Sequence, residues 1–544
     1  MCPLVWTGDS MASIDRGMRQ MPDERVVVIG AGVGGLVSAA LLAARGCDVT
    51  LVEAASTPGG KLRARTVDGL AIDGGPTVFT MKPLFDEIFD LCGDSLDAHL
   101  TTRPATTLAR HAWGDARFDL HADAAESEAA IGDFAGAVDA RGYRAFRAEA
   151  RRLFDALDRP FLRDSNTNPL TLGWRMGANG FSDWCNLRPY SSMWRALGGY
   201  FRDPRLRQLF GRYATYCGSS PFRCPATLML IAHVEASGVW TIDGGMYRLA
   251  QALDALGRGL GVRLRYDAPV RDILVERGRA AGVVLETGER IAATAVICNA
   301  DPAAIGAGRF GAAAAHGVPP MPPRHRSLSA MVWTGHAQTA GFPLSRHNVF
   351  FSADYRAEFD ALAAGRLAAA PSVYLCAQDR DGAGQVPNAH AHERVQIIVN
   401  APPNGDHTSF TPAEIDQCTT AMQACVSRAG LSLDLAPSTI LTTPREFEIL
   451  CPSTGGALYG RASHGWAASF RRQSSRTRIA GLYCAGGSTH PGAGVPMAAL
   501  SGRLAVDCLL RDRASMSMSR PMAMPGGIST QPVPPMDQTA ASTA

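Results

Sequence analysis

The sequence predicts an α/β fold in which a discontinuous, Rossmann-like nucleotide-binding domain is joined to a mixed α+β substrate domain. Three observations carry that prediction. The stretch VVVIGAGVGGLVSAALLAARGCDVTLVEA, residues 26–54, reads as strand, glycine turn, helix and strand. A second strand–glycine–helix unit begins near Ile479, and the segment 245–302 between them reads as helix, strand, strand, hairpin, strand. The chain has 544 residues, 46% of them hydrophobic. Single cores stop growing at about 250–300 residues, so at least two domains are expected.

The first unit is built for a pyrophosphate. Val26 to Ile29 form a buried parallel-strand pattern, and Gly30, Gly32 and Gly35 supply G-x-G-x-x-G where a helix must begin. Gly30 allows the tight turn, Gly32 lets backbone N–H groups approach the phosphates, and Gly35 lets the helix pack close to the strand. The phosphate charge then meets the positive end of a helix running from Gly34 to about Arg45, closed by Gly46. The second strand delivers Glu53, whose carboxylate can accept both ribose hydroxyls and would repel a 2′-phosphate, which disfavours NADP.

The next stretch, PGGKLRARTVDGLAIDGGPTVFTMKP, separates NAD from FAD. Its glycine pairs, Gly59/Gly60 and Gly74/Gly75, mark close backbone approaches, Lys61 adds a cation, and Pro76 and Thr77 follow. A second set of contacts so soon after the ribose acid suits an extended, permanently held cofactor, which favours FAD.

Towards the C-terminus, Ile479 to Ala485 read as an apolar strand closed by Gly486 and Gly487, followed by a long helix. Gly494, Val495, Pro496 and Met497 stand at its start, and Pro496 suits a first turn because its missing N–H has no helical partner there. Backbone donors near Pro496 and Met497 would favour the negative charge that develops at flavin N1 and O2. His490 admits two readings. It shapes the turn Thr489-His490-Pro491, which is the favoured one, or it is a catalytic base; the sequence assigns no other catalytic side chain.

The GxGxxG unit, PGGK, DGGPTVFTM and GLYCAGGSTHPGAGVPMAALSGRLA together resemble the bacterial-type phytoene desaturase family of carotenoid dehydrogenases, within the amine-oxidase-like flavoproteins. The likeness runs over most of residues 22–512. The GPTVFTM form and the ending HPGAGVPMAALSGRLA are more similar to 1-hydroxycarotenoid 3,4-desaturases (methoxyneurosporene dehydrogenases). This resemblance implies FAD as cofactor and a lipophilic acyclic carotenoid as substrate, of the rhodopin or 1-hydroxyneurosporene type, desaturated at C-3,4 in the carotenoid biosynthesis of a photosynthetic bacterium. It also implies that the middle segment returns to the first domain and places Val270 against the adenine end.

The resulting layout has an N-terminal extension (1–21), nucleotide-binding pieces at 22–100, 240–310 and 441–512, substrate-domain pieces at 101–239 and 311–440, and a tail (513–544). The tail and the extension lack the composition for a core and are expected to be disordered. In the second substrate piece PSVYLCAQ and RVQIIVNAPP read as strands.

The first substrate piece concentrates ten arginines against three aspartates between Arg159 and Arg223, together with Trp174, Trp184 and Trp194. Such a mixture suits a surface that dips into an anionic bilayer, or a helical lid whose tryptophans fill the core. The resemblance favours peripheral membrane contact, on the cytoplasmic side.

Composition excludes other classes. A formal net charge of +3 and the lack of a compact basic run argue against nucleic acid. The thirteen cysteines show no C-x-x-C pair and no zinc spacing, so no metal site is expected and the thiols are read as reduced. No signal peptide and no run of about 18 apolar residues is found.

Desaturating an unactivated carbon chain needs a two-electron acceptor, which no side chain supplies. A cation left on a conjugated polyene is delocalised, so a weak base or water can take the proton. The sequence leaves open the electron acceptor, oxygen or a quinone. It also leaves open three rivals on the same glycine framework: another carotenoid desaturase or isomerase, an amine oxidase, and a non-enzymatic isoprenoid-binding protein like the GDP-dissociation inhibitors.

Overall fold

A computed structural model describes residues 21, 23–165, 168–169, 171–172, 190–381, 384 and 392–518. Its organising element is a five-stranded parallel sheet, in the order Arg263–Arg265, Asp48–Val52, Arg25–Ile29, Ala295–Cys298 and Leu482–Cys484. Three separated stretches of chain therefore build one sheet. Val26, Val27, Val28 and Ile29 are all buried, as a central parallel strand covered on both faces requires.

One face carries the helices Val33–Ala43, Tyr247–Gly259 and Val495–Met518, which join the largest core cluster. The other carries an antiparallel meander, Val270–Glu276, Arg279–Leu285 and Arg290–Ala292, packed through Ile273, Val283 and Leu285. The first helix ends at Ala43 and the chain turns at Gly46, whose φ of +77° favours glycine. The expected strand over 479–485 is shorter, Leu482–Cys484. A turn precedes it, with Leu482 N–H donating to Ile479 O at 3.1 Å and Gly481 at φ +75°.

Residues 107–121 and 329–442 share a second, eight-stranded sheet. PSVYLCAQ and RVQIIVNAPP form its paired antiparallel strands Val373–Ala377 and Glu393–Ala401. Helices Ala124–Ala135, Ala137–Leu157, Pro204–Gly211 and Leu230–Ala236 roof this region, with Phe146, Phe201 and Phe210 at ring separations of 4.7–5.4 Å.

Trp194 is a packing residue. Its ring lies 4.8 Å from Phe222 and 6.0 Å from Tyr355, partly buried against a satellite cluster with Phe359. Trp174, Trp184, the N-terminal extension and most of the tail lie outside the described residues. Among the described residues no helix is long and apolar enough to cross a membrane.

Candidate active site

The two glycine-opened helices meet. A Cβ on Gly34 would stand 2.8 Å from Gly486 N and 2.9 Å from Ala498 O, and one on Gly502 would stand 2.3 Å from Gly34 O. Both positions lie below the closest approach that real Cβ atoms make, so glycine is what lets the backbones touch. Ser501 Oγ accepts from Gly486 N–H at 2.7 Å, and His490, Gly487 and Gly494 belong to the connection between strand Leu482–Cys484 and helix Val495–Met518.

Asn299, which the sequence reading did not single out, plugs the joint. It follows strand Ala295–Cys298, the neighbour of the central strand, donates from Nδ2 to Gly30 O at 3.4 Å, and would collide with a Cβ on Gly32, Gly34 or Gly486. Its buried Oδ1 has no protein partner among the described residues. The signal lay in its place at the carboxyl end of a parallel strand, where α/β folds bind ligands.

The remaining predicted cofactor residues gather around this joint. Gly59 N–H donates to Ala31 O at 2.8 Å, which clips the PGGK loop under the first turn, while a Cβ on Gly60 would meet only the Gly32 α-carbon, at 3.6 Å. Lys61 Nζ donates to Leu458 O at 2.7 Å, and Gly75 sits over Lys61 O, where a Cβ would stand at 2.0 Å. Pro76 leads to Thr77, whose hydroxyl is 2.6 Å from Tyr374 Oη.

Glu53 is aimed by backbone donors, accepting from Ala31 N–H at 2.6 Å and Ala55 N–H at 2.8 Å. Ala268 N–H donates to Glu53 O at 2.8 Å, which brings the strand beginning at Val270 beside that acid. Asp73 was also missed: its carboxylate accepts from Met246 and Tyr247 N–H at 2.6 and 3.0 Å and ties the DGG loop to helix Tyr247–Gly259. Burial raises its pKa against the opposing pull of those two amides.

These residues fit an extended dinucleotide. They provide a helix N-terminus beside Gly32, a half-satisfied buried amide at Asn299, an oriented acid at Glu53, and glycines at 60 and 494 with open space before them. Among the described residues no cluster of His, Cys, Asp and Glu could hold a metal ion.

Against the C-terminal part of this cradle lies an apolar cavity enclosing about 1350 Å³ of empty space, counting the solvent at its mouth. Gly492, Gly494, Pro496 and Met497 line it together with Leu157, Phe161, Leu228, Ile231 and Val234. Among the described residues, Glu235 and Arg472 are its only charged lining groups. Arg472 is spent on the loop, donating to Tyr459 O at 2.8 Å and Arg461 O at 2.6 Å, and burial lowers its pKa. Glu235 accepts from Tyr216 Oη at 2.9 Å and from Tyr213 Oη. Burial, reinforced by the Glu235 charge, holds both phenols well above their ordinary value, so they stay protonated donors.

His490 is fully buried, with Nε2 2.8 Å from Phe161 O. Burial pushes its pKa down to about 4, so the ring is neutral near pH 7. The neighbouring Pro491 lines the cavity. This geometry favours the turn-shaping reading of His490.

Comparison with known proteins agrees with this architecture. The model of the family described as flavin containing amine oxidoreductase matches residues 33–510. Hydroxyneurosporene desaturase of Rubrivivax gelatinosus is 48% identical over 511 residues, 93% of this chain and 97% of that protein. The protein of the same name from Cereibacter sphaeroides is 46% identical over 503 residues, 92% and 100%. Among solved structures, an oxidoreductase from Methanosarcina mazei superposes with a TM-score of 0.55 at 16% identity, over 90% of this chain and 100% of that one. Putrescine oxidase bound to putrescine gives 0.55 at 15%, over 90% and 99%. Such low identities speak for the fold alone. With the family model spanning most of its length and the glycine cradle in place, this chain belongs to the flavin containing amine oxidoreductases and its cofactor is FAD.

Proposed function

We propose that the protein is an FAD-dependent carotenoid desaturase that introduces the C-3,4 double bond into acyclic 1-hydroxycarotenoids. The single observation that carries this reading is the apolar cavity lined in part by Gly492, Gly494, Pro496 and Met497, a site for a long hydrocarbon against the flavin-binding segment. Relatives at 46–48% identity named hydroxyneurosporene desaturase support the substrate class.

Bound FAD supplies the two-electron acceptance that no side chain offers. The chain's own residues do the rest. Leu157, Phe161, Ile231 and Val234 exclude water and hold the polyene in register. The N-terminus of helix Val495–Met518 turns its positive end to the cavity, where it favours negative charge. Conjugation spreads the positive charge left on the polyene, so the departing proton needs only a weak acceptor such as water.

The cavity mouth also supports peripheral membrane contact. Tyr190 and Trp466 are 75% and 41% exposed, their rings are 5.8 Å apart, and Trp466 lines the cavity. Arg223, Arg324 and Arg471 are exposed, Arg223 O accepts from Gly465 N–H at 3.0 Å beside Trp466, and Arg461, Arg324 and Arg471 add to burial in lowering the pKa of His325. Exposed aromatics together with exposed arginines suit an anionic bilayer from which an oily substrate can enter. Sedimentation with anionic vesicles at low salt tests this, and protein left wholly in the supernatant contradicts it.

The activity is tested by incubating the FAD-loaded protein with 1-hydroxyneurosporene or rhodopin. A product with longer-wavelength polyene absorption and two fewer hydrogens is expected. Unchanged polyene, or peroxide formation with amines instead, overturns the assignment.

A further inference from the structure

A carboxylate in an oily cavity is costly and needs a reason. Glu235 is 5% exposed and is the only carboxylate among the described residues lining a wall otherwise made by Leu228, Leu230, Ile231 and Val234. Replacing a buried polar cluster by apolar side chains commonly costs a protein little, and a cavity for a bare hydrocarbon would gain from it. Here the carboxylate is instead supported on one side. Tyr213 and Tyr216 donate to its two oxygens, and Arg212 donates to Tyr216 Oη at 2.8 Å while lying 5.0 Å from the centre of that ring. A carboxylate offers about four acceptor sites. Among the described residues two are filled, by Tyr213 and Tyr216, and Glu235 and Tyr216 both line the cavity.

We propose that Glu235 and Tyr216 read the tertiary hydroxyl of the substrate, with the Glu235 carboxylate accepting its O–H. This rests on the desaturase reading above. In a 1-hydroxycarotenoid the hydroxyl-bearing carbon is two bonds from C-3, so the group that reads the hydroxyl must share a cavity with the reacting end. Glu235 and Tyr216 share theirs with Gly494, Pro496 and Met497. A site built to bond a substrate hydroxyl rejects the analogue that lacks it far better than an apolar pocket discriminates by size, because its polar groups are then left unpaired. Glu235 and Tyr216 are thus specificity residues.

The test compares kcat/KM of FAD-loaded wild type, Glu235→Gln and Tyr216→Phe on an acyclic 1-hydroxycarotenoid and on the same polyene without the hydroxyl, with binding of both polyenes measured alongside. Wild type should prefer the hydroxylated polyene, and Glu235→Gln should lower that preference at least tenfold with flavin content retained. Tyr216→Phe should lower it several-fold, and decides the question should Glu235→Gln not fold. Parallel loss on both polyenes with an unchanged preference overturns the proposal and makes the cluster a brace between Tyr213 and helix Leu230–Ala236. Equal conversion of the two polyenes by wild type overturns it while sparing the desaturase reading. Binding of the hydroxylated polyene without conversion of either one overturns the desaturase reading itself.

Discussion

Gly34 and Gly502 are in backbone contact, although one opens the first helix of the nucleotide-binding sheet and the other lies in the C-terminal helix. Ser38 Oγ bridges them, 2.7 Å from Gly34 O and 3.1 Å from Gly502 O. Their closeness fixes how tightly the two helices pack against each other.

Gly502→Val should therefore disrupt the cradle. Its side chain would drive into the Gly34 carbonyl, with no flexible group to yield. Overpacking of this kind costs about 1–3 kcal/mol. A lower thermal midpoint and loss of bound FAD on gel filtration are expected.

Gly494 acts from the cavity side. Its φ is +108°, and among the described residues a Cβ there would find only Pro496 Cδ, at 3.9 Å, so space is available but the backbone conformation is strained for other residues. Gly494→Val should cost about 1–3 kcal/mol through that strain and reduce flavin occupancy. Flavin absorbance per polypeptide measures it.

Asn299→Leu removes an amide whose Nδ2 bonds Gly30 O and leaves that carbonyl without the contact. Loss of a neutral hydrogen bond is worth about 1 kcal/mol, or several-fold in FAD dissociation constant. Titration of apoprotein with FAD checks it.

Buried histidines should make stability fall in acid. Burial pushes His490 and His464 down to about 4, from an ordinary value of 6.5. Between those values the unfolded chain binds more protons than the folded one. Stability should thus be highest above pH 6.5 and fall as pH drops towards 4. Denaturant unfolding at pH 7 and pH 5 should show the decline, and His490→Gln should flatten it. With His490 shaping the turn, that variant should keep kcat within about tenfold of wild type, whereas removal of a general base costs about a hundredfold or more.

The site was legible where its requirements are local. The GxGxxG turn, Glu53 and the Gly494–Met497 turn declare themselves because a tight turn or a helix N-terminus constrains neighbouring residues, and the structure brings all of them to one joint. Asn299, Asp73 and Glu235 did not, because what gives them meaning is remote. Asn299 bonds Gly30 across 269 residues, and Asp73 bonds Met246 across 173. Glu235 is one acid on an otherwise ordinary helix until Tyr213 and Tyr216 fold against it. The Arg/Trp-rich stretch left Trp194 open between two readings because composition cannot tell a surface tryptophan from one packed on Phe222 and Tyr355.

The most direct measurement is a crystal structure of the FAD-loaded protein with a bound acyclic hydroxycarotenoid. The pyrophosphate should lie at the N-terminus of helix Val33–Ala43, the flavin ring against Gly494–Met497, and the polyene along Leu228, Ile231 and Val234 with its hydroxyl end near Glu235. A flavin that touches only one of the two glycine-opened helices, or a polyene seated outside this cavity, would contradict the account.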